Sequence, residues 1–438
     1  MKRITVLVCC LVLTLSIVAG LAGCANGLGV AGQNVDPGKP SHPTESAPLP
    51  IEPASYKLTP DTFDENLLQY IASVTEGSYM VSPLSFRYAL GLLLAGASGD
   101  TKTELISALG VASEEEWEAV CLAFNDLAVV YADSATRELE QFRMWKKQGV
   151  VSPDDPEPSR ALQVANSVWK RKDIPADFTA GYRDKIENCY AAEYFAFTRE
   201  NAVKKINTWA DEKTKGLIPE LLPADYDTSD LAVVLMNALY YKNSWKEPFP
   251  EHLTEDGDFT LEDGAVITKS FMKNEERFVY YEDEATQLVV IPMKDGVYMA
   301  YVLGSTENLG DKLAGAKETK VRVTVPKIDL ETSFDDGELV SFLKACGVNL
   351  AFDPRLADFS VMLEHQVWVD DIIQKTRLKT DETGVEAAAV TAIMIRETSV
   401  IEDPEQSKVF TADRPFSFYI YTTVNDVTHM MFAGKIVD

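Results

Sequence analysis

The residue types that usually carry catalysis are present in this chain, but their spacing forms no catalytic set. No G-x-S-x-G turn exposes a nucleophilic serine, and the four histidines lie far apart. The tetrad Ser167-Val168-Trp169-Lys170 fits an S-x-x-K motif, yet it lies in a strand-like run without S-D-N or K-T-G partners, so we interpret it as coincidence. His or Cys pairs at metal-ligand spacing and phosphate-binding Gly-rich loops are also absent. The sequence therefore predicts no enzyme, no metal site and no cofactor.

A segment near the C-terminus, residues 381–395, combines the pattern of a strand with the setting of a loop. Its sequence is DETGVEAAAVTAIMI. At a period of two, one face is entirely small or apolar: Val385, Ala387, Ala389, Thr391, Ile393 and Ile395. Turn-forming and acidic residues flank the run at 381–384 and 402–405, which is typical of an exposed loop. Composition and period alone also allow a buried strand or an Ala-rich helix.

Five further motifs stand in a fixed order along the chain. They are Ser82-Pro83-Leu84-Ser85 with Gly96-Ala97-Ser98-Gly99-Asp100-Thr101; Asn237-Ala238-Leu239-Tyr240-Tyr241-Lys242 with Trp245 and Phe249; Val325-Pro326-Lys327; Ala412-Asp413-Arg414-Pro415-Phe416-Ser417-Phe418; and Phe432-Ala433-Gly434-Lys435-Ile436-Val437. In this order and spacing they closely resemble the serpin family, from about residue 56 to residue 438. The resemblance implies one α+β domain of three β-sheets and eight or nine helices.

The same resemblance implies a function. An exposed reactive-centre loop, placed here at about 382–411, baits a serine or cysteine protease. The protease forms its acyl-enzyme ester with the loop and is trapped when the cut loop inserts into the central sheet, so the partner is a protease held in a covalent complex. A monomer is expected.

The resemblance also assigns a hinge where insertion starts, and each hinge residue must suit a buried strand. An unpaired charge on the buried face would cost several kcal/mol. Gly384 supplies freedom in φ, and Val385 departs from the usual Thr or Ser but is uncharged, so we expect inhibition to survive. The hinge residues are Glu382, Gly384, Val385, Glu386, Ala387, Ala388, Ala389 and Thr391.

A gate in the central sheet is implied by a second group of residues. Gln374 stands where the family commonly has His, and its amide can still donate and accept hydrogen bonds without titrating. Glu382 and Lys327 match a pair at the top of the sheet beside Trp245; the alternative is a weak surface contact. The gate residues are Ser82, Ser85, Asn237, Gln374, Lys327 and Trp245.

Counting the usual hinge length from Glu382 places the scissile bond between Thr398 and Ser399. This register favours elastase-like targets that prefer small or β-branched side chains. The loop is about six residues longer than usual before Pro415, so the bond between Arg396 and Glu397 is an alternative, and it would imply a trypsin-like target.

The N-terminus resembles a bacterial lipoprotein signal. A basic start, an apolar run and the sequence Leu21-Ala22-Gly23-Cys24 predict removal of residues 1–23 and lipid attachment to Cys24. The alternative is an uncleaved anchor, but the apolar run is short for a spanning helix. Residues 24–54 are rich in Gly, Pro, Ser and Asn and predict a flexible tether before a domain at 55–438. We expect the protein on the outer face of a bacterial envelope.

Composition limits the partners and the redox chemistry. The 438 residues are 46% hydrophobic and 25% charged, as in a soluble globular protein, and carry a net charge of −27. This acidity disfavours nucleic acid and anionic membrane surfaces as partners. Cys121, Cys189 and Cys346 remain once the signal is removed and Cys24 is lipidated, too few for a disulfide framework.

Local signals predict the main elements. Helices are expected at 60–75, 83–95, 102–109, 114–133, 177–189 and 202–214, the second with Ser82 as N-cap and Pro83 in its first turn. Strands are expected at 79–81, 162–169, 231–241, 289–292, 298–303 and 320–326. The segment 148–160 is Pro-rich and acidic and is expected as an exposed excursion between a helix and a strand.

Three functional hypotheses follow. The first is a surface-tethered suicide inhibitor of serine proteases. The second is a protein of the same fold that binds a partner without inhibiting, and the third is an unrelated solute-binding or enzymatic lipoprotein, which would leave the five motifs unexplained.

Overall fold

The structure is a computed structural model that describes residues 62–155, 157–228, 231–369, 372–385, 406–424 and 427–438. Within these ranges the chain forms eight α-helices and fifteen β-strands. The helices are α1 (Thr62–Val74), α2 (Pro83–Gly96), α3 (Gly99–Leu109), α4 (Glu114–Gln148), α5 (Ala180–Cys189), α6 (Ala202–Lys213), α7 (Leu309–Gly315) and α8 (Glu338–Ala345). None of the described helices is long and apolar enough to cross a bilayer.

One sheet has nine strands and contributes most of the β-structure. Its main path runs β1 (Tyr79–Val81), β15 (Val427–Ile436), β14 (Phe416–Val424), β8 (Val297–Gly304), β7 (Thr286–Pro292), β6 (Val266–Glu282), β9 (Lys317–Pro326) and β13 (Lys408–Thr411), and β5 (Glu255–Thr260) pairs with β6. Neighbouring strands on this path are antiparallel except β13, which lies parallel to β9.

Two smaller sheets lie side by side and, within the described ranges, are joined at one end. The four-stranded sheet has the order β12 (Gly384–Val385), β4 (Val233–Ser244), β2 (Ala161–Arg171) and β3 (Ala192–Phe197). The two-stranded sheet pairs β10 (Asp329–Phe334) with β11 (Gln374–Lys379). Among the described strands, β4 and β11 share no ladder. We call the space between them the slot.

The largest hydrophobic cluster connects these sheets through α2. This helix is buried along almost its whole length, because its sequence is apolar on all sides. Ser82 caps it as predicted, its hydroxyl accepting the backbone N–H of Ser85 at 3.2 Å, with Pro83 in the first turn. A second cluster packs α6 against the outer face of β2 and β4, and a third covers the other face of the nine-stranded sheet.

The sequence-based element predictions are confirmed to within a few residues except at α4. That helix does not stop at residue 133 but continues to Gln148, so the predicted end is wrong. The extension, SATRELEQFRMWKKQ, is rich in good helix formers, and Gly149 ends it in the left-handed conformation with φ 71°. The excursion predicted for 148–160 follows as the connection from α4 to β2.

His429 is a buried titratable group where α4 meets the large sheet. It lies on β15 with 3% exposure, its ring centroid is 4.9 Å from that of Phe124, and its Nε2 has no hydrogen-bond partner among the described residues. Burial, assisted by the positive charge of Arg87, lowers the pKa of His429 to about 4. The imidazole is therefore neutral at pH 7.

We expect His429 to weaken the fold in acid. Because its folded pKa lies below the unfolded value, the unfolded chain binds the proton first, so stability is complete above about pH 6.5 and falls as the pH drops towards 4. The loss should approach about 3 kcal/mol. Denaturant unfolding between pH 7 and 4 should show this component in the wild type and not in His429→Phe. Exposed His252 is the control: His252→Phe should keep the wild-type profile, and equal slopes in all three proteins would contradict the prediction.

Candidate functional site

The upper end of the slot is occupied by two hinge residues. Gly384 pairs with Ser244 and Val385 with Asn243, both antiparallel to β4, and Thr380 forms an isolated antiparallel bridge with Val385. Val385 is 1% exposed. The chain thus leaves the end of β11, reverses direction in a turn, and enters the space between β11 and β4 antiparallel to β4. Gly384 and Val385 are the first residues of a strand that enters the slot.

The turn that reverses the chain is built from its own polar groups. The Asp381 Oδ1 atom accepts the backbone N–H of Thr383 at 2.8 Å and the Thr383 hydroxyl at 2.7 Å. It also accepts the backbone N–H of Gly384 at 3.2 Å. An aspartate that accepts main-chain N–H groups two and three residues on is a turn former. The Asp-Glu-Thr-Gly sequence accordingly folds into a compact turn.

Trp245 holds this turn in place. Its indole Nε1 donates to the Asp381 carbonyl at 2.8 Å, and its backbone N–H donates to the Thr383 carbonyl at 2.9 Å. The ring is fully buried and lies edge-on to Phe249, whose backbone N–H donates to the Glu382 carbonyl at 2.8 Å. The position predicted for Trp245 at the top of the gate is therefore a clamp on the hinge turn.

Glu382 makes the ion pair expected with Lys327. The two side chains are 2.8 Å apart, and the Thr254 hydroxyl donates to the same carboxylate at 2.7 Å. Burial acts to raise the pKa of Glu382, but the hydrogen bonds from Lys327 and Thr254 outweigh it and hold the pKa below its usual value. The carboxylate side chain is 12% exposed, so this is more than a loose surface contact.

Gln374 bonds to main chain rather than to the other gate side chains. Its Oε1 accepts the backbone N–H of Ser82 at 2.9 Å, and its Nε2 donates to the Ser82 carbonyl at 3.0 Å. Next to it, Thr376 donates to the Met80 carbonyl and Met80 N–H donates to Thr332, both at 3.0 Å. These bonds fasten the two-stranded sheet to the start of α2.

A second network fastens the four-stranded sheet to α2 from the opposite side of the slot. The Ser85 hydroxyl donates to Asn237 Oδ1, and Asn237 Nδ2 donates to Asn166 Oδ1 at 2.5 Å. Asn166 in turn donates to the Tyr190 carbonyl at 2.7 Å. Among the described residues, four of the six residues predicted for the gate thus form two half-networks, one through Gln374 and one through Asn237, which meet at Ser82 and Ser85 at the start of α2.

Gly384 is required by a close approach. Its φ is not positive, but a Cβ there would stand 2.0 Å from the Asn243 carbonyl oxygen. The φ freedom predicted for the hinge is therefore not used in the described conformation. Absence of a side chain lets the reversing strand approach β4.

An apolar pocket lies at the end of the slot opposite the hinge turn. Its lining comes from α2, from the first residues of β4 and from the chain that leads into β11, and includes Leu90, Leu93, Val233, Leu235, Met362 and Ile373. Val233 and Leu235 are partly buried side chains of the main core. The pocket is suited to apolar side chains or ligands, because the side chains that line it are aliphatic or aromatic.

Several predicted site residues lie outside the described residues. They are Cys24, Glu386, Ala387, Ala388, Ala389, Thr391, Arg396, Glu397, Thr398 and Ser399. Both ends of the segment predicted as a loop, 382–411, belong to other elements. Residues 382–385 form the turn and β12, and residues 408–411 form β13.

Sequence reasoning missed Asp381, Thr254, Asn166 and Thr376. Asp381 could have been found from its turn signature. The other three have no local sequence signal, and they join the site through contacts with residues far away in the chain. No group of acidic, His or Cys side chains within the described ranges could hold a metal ion.

We expect Gln374→Leu to destabilise the protein. The substitution fills the same space but leaves a buried N–H of Ser82 without its partner, which costs about 1–3 kcal/mol. Gln366→Leu is the control, since Gln366 is exposed and donates one bond to the Ala357 carbonyl. Urea unfolding of both variants gives the comparison, and equal midpoints would show that the Gln374 bonds carry no net stability.

Comparison with known proteins agrees with this geometry. The family model described as "Serpin (serine protease inhibitor)" matches residues 60–438. The human protein Serpin B9 is 28% identical over 380 residues, which is 81% of this chain and 91% of the relative. The horse leukocyte elastase inhibitor is 27% identical over 387 residues, which is 82% of this chain and 92% of the relative.

Solved structures give the same fold. The native stressed form of Arabidopsis AtSerpin1 is 25% identical and superposes with a TM-score of 0.67, covering 86% of this chain and 96% of that one. The native thermophilic serpin tengpin is 24% identical, with a TM-score of 0.66 over 87% of this chain and 96% of its own. Since the match spans nearly all of the described sequence and includes the residues of the slot and the hinge turn, this chain belongs to the serpin family, which is described as a family of serine protease inhibitors and not of enzymes.

Proposed function

We propose that this protein is a cell-surface suicide inhibitor of serine proteases, most suited to elastase-like enzymes. The observation that carries the proposal is the entry of Gly384 and Val385 into the slot. The target's serine would attack the Thr398 carbonyl, form an ester with it and release the amine of Ser399. Insertion of the freed loop would then carry the acyl-enzyme away before water could complete hydrolysis.

The register of β12 predicts which residue of β4 would lie opposite each loop residue after full insertion. Val385 lies opposite Asn243, so each later loop residue would lie opposite an earlier residue of β4. Ala387 would then face Tyr241, Ala389 would face Leu239, and Thr391 would face Asn237. Tyr241 and Leu239 belong to the main core, so this inward face must be small and uncharged. The alternation from Val385 to Thr391 meets that demand.

Continuing the register brings the next two inward residues to the apolar pocket. Ile393 would lie opposite Leu235, and Ile395 opposite Val233, both of which line the pocket. Burying two isoleucine side chains there would contribute roughly 3–6 kcal/mol. Glu386, on the outward face, would lie opposite Lys242. The loop sequence thus fits the whole length of the slot and supports inhibition rather than binding alone.

The location is also part of the proposal. Lipid on Cys24 and a tether over residues 24–54 would hold the inhibitor at the outer face of a bacterial envelope, where it would meet external proteases. Radiolabelled palmitate should enter the full-length protein in a bacterial host and not Cys24→Ser. Equal labelling of both would exclude a lipoprotein.

Mixing the chain from residue 25 onward with elastase should yield a band at the summed mass on denaturing gels. Ala389→Asp should reduce this band more than tenfold and be cut as a substrate, because insertion would bury an unpaired carboxylate. Ala389→Ser, of similar size and uncharged, should keep the band. Cleavage of the wild type without a covalent band or gain in heat stability, whichever protease is used, would favour the non-inhibitory reading.

The released C-terminal peptide identifies the scissile bond. A peptide that starts at Ser399 supports the elastase register, and Thr398→Arg should then shift covalent trapping from elastase to trypsin, whereas Arg396→Ala should leave elastase trapping intact. A peptide that starts at Glu397, with trypsin trapping abolished by Arg396→Ala, would establish the trypsin-like alternative.

A further inference from the structure

The chain between Glu138 and Arg160 leaves the body and rejoins it at one place. Glu138 of α4 pairs with Lys294 and, at 2.5 Å, with Arg160. Ala161, which follows Arg160, is the first residue of β2. The residues between them comprise the last turns of α4 and the connection to β2. We call residues 139–159 the arm.

The arm starts at the end of the slot where the predicted reactive-centre loop begins. The Lys294 carbonyl accepts the side-chain amide of Asn243 at 2.8 Å, and Asn243 lies opposite Val385, after which the predicted loop continues. Ala161 lies opposite Lys242, the neighbour of Asn243 in β4. Both ends of the arm therefore adjoin the strand end at which the loop leaves the slot.

The arm is long enough to lie beside a protease that is bound to the loop. Residues 139–148 continue α4 beyond Glu138 by about 15 Å, at roughly 1.5 Å per residue. A globular protease of about 200 residues has a radius of gyration of about 16 Å. A protease that holds the loop is therefore wide enough to contact the arm, because the arm is attached next to the start of the loop.

Contacts within the arm hold it in one orientation. Arg143 pairs with Glu157 at 2.6 Å, and Lys146 Nζ donates to the Asp155 carbonyl at 2.7 Å. Both contacts join the helix to the chain that returns from it. The end of the arm is therefore presented at a fixed position relative to the body.

Apolar side chains are exposed at the end of the arm. Among the described residues, the apolar side chains of α4 that join the core clusters end at Tyr131, and Met144 and Trp145 belong to none of them. Met144 is 41% exposed, and Val150 is 66% exposed, the highest value for a large apolar side chain in the described ranges. The Val150 N–H donates to the Trp145 carbonyl at 3.0 Å, a helix end in which the apolar residue usually packs back on the last turn. That packing leaves most of Val150 uncovered.

The charges of the arm favour neither sign of partner. Four carboxylates and three cations are present: Glu140, Asp154, Asp155 and Glu157 against Arg143, Lys146 and Lys147. An anionic surface therefore gains nothing overall from these charges. Methionine, aromatic residues and arginine are enriched in protein–protein interfaces, with polar residues at the rim. The composition of the arm suits a contact with a protein.

We propose that Met144, Trp145 and Val150 form a second contact for the target serine protease, beside the reactive-centre loop. The proposal rests on the proposed function, because it takes the protease on the loop as the protein that reaches the arm. The contact stabilises the complex that forms before the acyl ester, and it takes no part in loop insertion. It makes the inhibitor selective among proteases that accept the same scissile bond, because only some of them have an apolar surface at the matching position.

The first test measures the second-order rate constant of covalent trapping by the chain from residue 25 onward. Elastase is the probe, or trypsin if the released peptide starts at Glu397. Met144→Ser/Val150→Ser should lower the rate constant at least tenfold and leave unchanged the number of inhibitor molecules consumed per protease trapped, because insertion decides that number. The control Val129→Ser/Leu356→Ser changes side chains exposed by 61% and 60% outside the arm, and should keep both values. Equal rate constants in all three proteins would contradict the proposal.

A second test does not depend on trapping. The same protease with its catalytic serine replaced by alanine can bind the loop but cannot form the ester. A photo-cross-linking side chain at Val150 should join this protease, and one at Val129 should not. Cross-linking at Val150 without covalent trapping of the active protease would reject suicide inhibition and retain the contact. Trapping without cross-linking at Val150 would retain inhibition and reject the contact.

A second copy of this chain is the competing occupant of the arm. If sedimentation shows a wild-type dimer that Met144→Ser/Val150→Ser dissociates, while the trapping rate constants stay equal, the end of the arm is a contact between copies and the proposal is wrong. Unchanged thermal unfolding of the variants would show that any loss of rate is local to the arm.

Discussion

The structure depends on how weakly two sheets are joined. Across the slot, the described strands are linked by the pairing of Gly384 and Val385 with the end of β4 and by the bridge to Thr380. A typical main-chain hydrogen bond adds only about 1 kcal/mol net. A full strand in the slot would add many such bonds and bury apolar surface. In the proposed mechanism, this gain would be the energy source for trapping the protease.

The two sides of the slot are held by separate contacts to one helix. Gln374 and Thr376 secure the two-stranded sheet to the chain around Ser82, and Asn237 and Asn166 secure the four-stranded sheet through Ser85. The two networks meet at Ser82 and Ser85, and at the other end of the slot the sides are joined by the contacts of Trp245 with the hinge turn and by the pairing of Val385. With Gln374 in place of the family's usual histidine, no gate side chain in the described half-networks titrates near neutral pH. The acid sensitivity that we expect comes instead from His429, outside the slot, because burial lowers the pKa of its imidazole.

The top of the slot and the middle of α4 are connected at one strand end. Asn243, opposite Val385, donates its side-chain amide to the Lys294 carbonyl at 2.8 Å, and the neighbouring Asp295 pairs with Arg160, which also pairs with Glu138 of α4. Tyr131 of α4 donates to the Lys242 carbonyl at 2.9 Å. These contacts rigidify the strand against which an inserting loop would start to pair. A firm edge on one side of the slot favours a single register of insertion.

The sequence by itself determined the local structure and the family. Helix caps, strand alternation and the Asp-Glu-Thr-Gly turn are signals between residues close in the chain, so α2, the strands and the hinge could be predicted from them. The collinear motifs then indicated the fold. The extension of α4 beyond Asp133 also has a local signal, the helix-forming residues of 134–148, although the sequence analysis did not assign them to the helix.

Only the tertiary structure decided which distant groups meet. Gln374 bonds to Ser82 across 292 positions, Glu382 to Thr254 across 128, and Asn237 to Asn166 across 71. Nothing in the sequence around Asn166 or Thr254 indicates these partners. Gly384 likewise looked like a flexible hinge in sequence, and the structure shows that it is needed because a backbone carbonyl lies where its Cβ would be. Packing and position, which a sequence leaves open, therefore decided which residues surround the slot and hold the turn at its end.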